Sequence, residues 1–107
     1  MNDPRWASID AFAEQNRDNI LRDISRLVAV PSVEGVPEPG APFGAGPKAA
    51  LDKALEIAAE LGLATHNAEG YIGWAQTGPV AEGQKYLATI THTDVVPEGN
   101  GWDADPY

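Results

Sequence analysis

Residues 85–96 read KYLATITHTDVV, and this run limits the chain's fold more than any other. It is β-branched and almost continuously apolar or threonine, with no glycine or proline to break it. Such strands are typically buried on both faces, as in sheets covered by helices. The run therefore predicts a central strand with layers on either side. Pro97 ends its ladder, and Gly99 and Gly101 then permit a tight loop that Trp102 can wedge.

The preceding residues supply candidate layers. Asp3 and Pro4 form an N-cap and first helical residue. Apolar residues at Trp6, Ile9, Phe12, Ala13, Ile20, Leu21, Ile24, Leu27 and Val28 have helical spacing. The spacing lapses at Asn16 and Arg17, which predicts a kink or restart near 16–19, and Pro31 bars continuation. Val33–Pro47 holds four prolines and four glycines in fifteen residues, so it is a loop, ordered against the core with Phe43 as its anchor. Pro47 opens the next helix, with Leu51, Ala54, Leu55, Ala58 and Leu61 as its stripe and Gly62 as its stop. NAEG is a turn between strand candidates Leu63–Asn67 and Tyr71–Gln76. The order of two N-terminal helices, β-hairpin and central strand predicts an α/β layer arrangement.

Composition excludes several classes. The 107 residues carry a net charge of −9 with only seven Lys and Arg, so no basic surface for nucleic acid or an anionic membrane can be assembled. With no cysteine, thiolate metal sites, disulfides and cysteine nucleophiles are excluded. The N-terminal stretch is too polar for a signal peptide and no apolar run approaches ~20 residues. A cytoplasmic location is the simplest expectation. Ser8, Ser25 and Ser32 lie outside any nucleophile-elbow context. The glycines of PFGAGPKAA lack the Gly-Lys-Ser/Thr ending of a phosphate loop.

The candidate site is His92 and Asp94. On a strand the two side chains share a face, at the carboxyl end where α/β sheets place ligands. An imidazole with a carboxylate beside it suits zinc, the carboxylate orienting the ring. A bare His-x-Asp is weak evidence for a metal site and by itself reads first as a hydrogen-bonded strand-end histidine. His66, beside a turn with no partner pattern, is expected on the surface.

The whole run HTDVVPEGNGWDADPY carries more information. It resembles the His-x-Asp-Val-Val-Pro-x-Gly-x-x-Trp-x-x-x-Pro-Phe signature of peptidase family M-twenty, which includes aminoacylases, desuccinylases, carnosinases and dipeptidase V. Thr91 stands where glycine often precedes the histidine, and Tyr107 replaces the usual phenylalanine. LVAVPSV is similar to the family's first-helix ending. PFGAGPKAALDKALEIAAELGL, followed by THNAEGYIGWAQTG, resembles the dipeptidase V branch. The resemblance runs from about Leu21 to Tyr107. It implies that His92 ligates one of two zinc ions and that Asp94 is the catalytic aspartate positioning the site. It also implies that the bridging aspartate, the Glu-Glu pair with the general base and the remaining ligands come later in the family's sequence. Residues 1–107 would then be the N-terminal fragment of the catalytic domain of a helix-covered mixed-sheet zinc peptidase, without the lid or dimerisation domain. The parent would hydrolyse dipeptides. The fragment alone would be inactive, bind zinc weakly and self-associate through its uncovered strand. An N-acyl amino acid deacylase or desuccinylase of the same family, and a stand-alone binding module without catalysis, are the alternatives.

Overall fold

A computed structural model describes residues 3–107; Met1 and Asn2, the start of the polar N-terminal stretch, lie outside the described residues. Three helices and one antiparallel hairpin form an α/β arrangement: α1 (Pro4–Gln15), α2 (Arg17–Val28), α3 (Ala45–Glu60), β1 (Ala64–Ala68) and β2 (Ile72–Gln76). The Asp3 carboxylate accepts the Arg5 backbone N–H at 2.9 Å and caps α1. The lapse in periodicity at Asn16 is a full break, because Asn16 leaves helical geometry and caps both neighbours.

Helix α3 is the organiser. It packs on α2 and on both strands. It starts at Ala45, two residues before the proline expected to open it, with Pro47 in the first turn, where its missing N–H leaves no orphan. Leu51 and Leu55 lie over Gly73 of β2, so closely that a Cβ there would stand 2.8 Å from Leu51 Cδ1. Ala50 and Ile57, one face apart from that pair, are the helix's buried residues. Neither belongs to the expected stripe, and Leu61, which does, is 68% exposed. The helix is thus covered on two sides, by the hairpin and by the α2 side. A single 3.6-residue stripe describes only one of them.

The hairpin pairs Ala64 with Gln76 through Ala68 with Ile72. Both strands sit within one residue of their expected places. Glu69 and Gly70 adopt positive φ, the Tyr71 N–H closes the turn on the Ala68 carbonyl, and the Asn67 side chain accepts the Gly70 N–H at 2.8 Å. The Pro/Gly loop is ordered, but Ala41 is its anchor: it is buried and exchanges both backbone bonds with Glu38. Phe43, the expected anchor, meets the edge of Tyr71 with centroids 5.6 Å apart and stays partly exposed.

The expected central strand does not form. Residues 85–94 have no ladder partner among the described residues, and the one bridge made by the 85–96 run is the isolated parallel pair Val33–Val95. Leu87 is 95% and Ile90 98% exposed. A strand exists only through a neighbour, and the hairpin that could have supplied one is held on α3. The arm's openness also appears in bulk. The radius of gyration is 16.9 Å, against roughly 13 Å for a compact domain of this length. The accessible surface is 8700 Å², against about 5700 Å² for a folded monomer of this mass. No helix of the described residues is long and apolar enough to cross a membrane.

Candidate metal and catalytic site

His92 and Asp94 meet. The His92 Nδ1 lies 3.1 Å from Asp94 Oδ1 and 3.0 Å from the Asp94 carbonyl oxygen. Two acceptors at Nδ1 call for a proton there, which leaves Nε2 as the lone-pair nitrogen on the far side of the ring. This is the tautomer a metal-binding imidazole uses when a carboxylate orients it. Both side chains are open, His92 at 82% and Asp94 at 64%. Among the described residues no three His, Asp or Glu side chains gather into a metal cage. The donor set fits zinc in part: one aimed imidazole with its orienting carboxylate, where a catalytic zinc takes about three protein ligands.

The segment is held by the loop after α2. The Ser32 hydroxyl donates to the Thr93 carbonyl at 2.7 Å, and the Val95 N–H donates to the Ser32 carbonyl at 3.3 Å. Ser32 is the one buried polar residue among the described residues, 3% exposed. In the sequence Ser32 stands out only as a serine outside a nucleophile-elbow context. Its partner lies 61 residues away, and no local pattern announces such a bond.

Beyond Asp94 the loop is tied at Glu98. The Trp102 indole N–H donates to the Glu98 carbonyl at 2.8 Å, and the Tyr107 hydroxyl donates to Glu98 Oε2 at 2.8 Å. Trp102 is therefore a staple, 59% exposed, in place of the expected wedge. Gly99 and Gly101 take the positive φ that the tight path needs. The Glu98 carboxylate is held below its ordinary range by its own backbone N–H and then by Tyr107. The same bond to Glu98 raises the Tyr107 phenol above its ordinary value. Tyr107 and Pro106 fold back to enclose, with Val28, Ser32, Ala50 and His92, a groove of about 260 Å³. His66 is exposed as expected, but it has a partner. It stacks on Trp74, its cross-strand neighbour, with centroids 4.9 Å apart.

No protein-family model matches the chain. Curated relatives do. The protein named "Putative dipeptidase YtjP" of Bacillus subtilis (strain 168) is 35% identical over 95 residues, 87% of this chain and 20% of that protein. Proteins with the same descriptive name in Staphylococcus aureus strains USA300 and COL are each 38% identical over 96 residues, 88% of this chain and 20% of theirs. The chain spans about a fifth of the length of the curated relatives it matches, and over that fifth it is similar to proteins named as dipeptidases.

Proposed function

We propose that this chain is the N-terminal part of the catalytic domain of a cytoplasmic, zinc-dependent dipeptidase of peptidase family M-twenty, dipeptidase V type. The observation that carries the reading is the His92–Asp94 contact at Nδ1, which favours the tautomer with Nε2 free to bind a metal, within the family-like run HTDVVPEGNGW. The similarity to dipeptidase-named proteins across most of the chain supports the substrate class.

In this reading His92 Nε2 is a ligand to one of two zinc ions. The Asp94 carboxylate fixes the ring's tautomer and direction and raises its basicity. The chemistry supplied by zinc when bound is polarisation of the scissile carbonyl and a lowered pKa, about 7, for the attacking water. The exposed sides of His92 and Asp94 are where the remaining ligands, the general base and the dipeptide would approach. Because the His92–Asp94 site brings together one imidazole and one carboxylate, the chain hydrolyses no dipeptide by itself.

The test is made in the longer protein. His92→Ala should remove one zinc equivalent and nearly abolish dipeptide turnover. Asp94→Asn, which keeps the size and loses the charge, should lower zinc affinity or activity on the order of 10–100-fold with the fold intact. His66→Ala should be close to silent. Full zinc content and normal turnover in His92→Ala would return His92 to a hydrogen-bonded strand end. Turnover of N-acyl amino acids in preference to dipeptides would move the protein to the deacylase side of the family.

A further inference from the structure

We infer that Ser32 is a positioning residue for the His92–Asp94 pair, an inference that rests on the zinc reading above. The pair is exposed, and among the described residues its side chains bond only to each other and, through His92 Nδ1, to the Asp94 backbone carbonyl. Their direction must therefore come from the backbone beneath them. Between residues 85 and 96 that backbone makes two hydrogen bonds to the body of the molecule, and both go to Ser32. The hydroxyl takes the Thr93 carbonyl, and the Ser32 carbonyl takes the Val95 N–H. The two bonds bracket Asp94. The Thr93 carbonyl belongs to the peptide plane that leads into Asp94, so holding it fixes the origin of the Asp94 side chain, and with it the partner of Nδ1.

Ser32 is itself held. Pro31 and Val33 flank it, and Gly46 in the first turn of α3 packs against their backbone. A Cβ at Gly46 would stand 2.5 Å from the Pro31 carbonyl oxygen and 2.9 Å from that of Val33. The rigid element behind the site is thus the start of α3, and Ser32 transmits its position across the chain. A buried hydroxyl that donates to a carbonyl loses that bond when truncated and leaves the carbonyl to reorient. A displacement of about an ångström at a ligand is enough to degrade a site.

The experiment uses the longer protein loaded with zinc, or with cobalt as a spectroscopic stand-in. Ser32→Ala should weaken metal affinity on the order of 10–100-fold, shift the visible cobalt bands and lower kcat with little change in KM. Ser32→Thr, which keeps the hydroxyl, should restore most of each. Ile57→Ala, in the buried face of α3, is the stability control. It should lower Tm and leave metal affinity and cobalt spectrum as in the parent. If Ser32→Ala does not fold, Ser32→Cys takes its place under the same criteria, since a thiol is a weaker donor. Parent-like affinity, spectrum and kcat in the serine variant would overturn the inference, as would equal effects in Ile57→Ala. His92→Ala separates the two readings. If it keeps its metal, the zinc reading fails. If it loses its metal while Ser32→Ala does not, only the role of Ser32 fails.

Discussion

Ile57 and Ile90 are the same residue in opposite circumstances: Ile57 in α3 is 8% exposed, and Ile90 in the 85–96 arm is 98% exposed. The helix around Ile57 makes its own backbone hydrogen bonds and needs only an apolar face nearby. That face comes from elements close in sequence, α2 before it and the hairpin after it. The arm around Ile90 has the stronger β sequence of the two, yet a strand's backbone bonds must come from another segment. Among the described residues the single bridge at Val33–Val95 and the Ser32 hydroxyl on the Thr93 carbonyl are all it receives. Self-sufficient elements form from local information, and an interior strand waits for non-local partners.

The largest expected effect comes from asking whether the arm is interior in the proposed longer protein. Leu87 is exposed in this chain, so Leu87→Ala here should change stability by no more than about 0.5 kcal/mol. If the arm is a covered central strand in the longer protein, the same change there should cost about 2–5 kcal/mol. Chemical denaturation of both pairs reads the difference directly. The uncovered strand should also draw chains together, since open edges and apolar patches recruit partners. Light scattering on the 107-residue chain should show association that Leu87→Ala weakens. A clean monomer at high concentration, together with a silent Leu87→Ala in the longer protein, would mean that the arm is open by nature and that the two regions do not differ for lack of partners.

This contrast also sets what was legible in the sequence. The Asp3–Pro4 cap, the break at Asn16, the α3 stop at Gly62 and the hairpin within one residue are short-range features, and each could be read. The second buried face of α3 could not, because Ala50 and Ile57 are buried by where α2 happens to lie. His92 and Asp94 were legible as a pair because two residues of spacing decide whether they meet. Ser32 was not, since its bond closes 61 residues of chain and its neighbours in sequence are unremarkable for a loop. Trp74 behind His66 is intermediate: the hairpin register places it, and the register follows from the turn.

A second, smaller effect probes the packed region. Gly46→Ala would gain about 1 kcal/mol of helix propensity in an open helix. Here its Cβ meets two backbone oxygens that have no rotamer with which to move aside. Overpacking of this kind costs about 1–3 kcal/mol, so the net result should be a modest loss of stability on denaturation. A gain would show that the strap at Pro31–Val33 yields easily, and that the packed region is less rigid than its contacts imply.

The smallest effects separate the two regions by pH. In the packed region Arg26 of α2 donates to Glu60 of α3 at 2.6 and 2.9 Å, and this bonding holds the Glu60 carboxyl below its ordinary range. A depressed carboxylate contributes stability above its unfolded pKa, about 4.3, and loses it as pH falls through the folded value. In the loop that follows the arm the Tyr107 phenol is raised by Glu98. A raised phenol contributes below its unfolded pKa, about 10, and loses it as pH rises through the folded value. Glu60 is exposed and Tyr107 half-buried at the surface, so salt should screen the Arg26 clasp and neither should shift the global midpoint far. The distinguishing variant is Tyr107→Phe, which restores the residue usual in the family-like motif. It should remove an alkaline step in Trp102 fluorescence, because Trp102 and Tyr107 are tied to the same Glu98, and leave the acid limb set by Arg26 and Glu60 unchanged. An alkaline step that survives Tyr107→Phe would show that the arm's loop is held by the Trp102 staple alone.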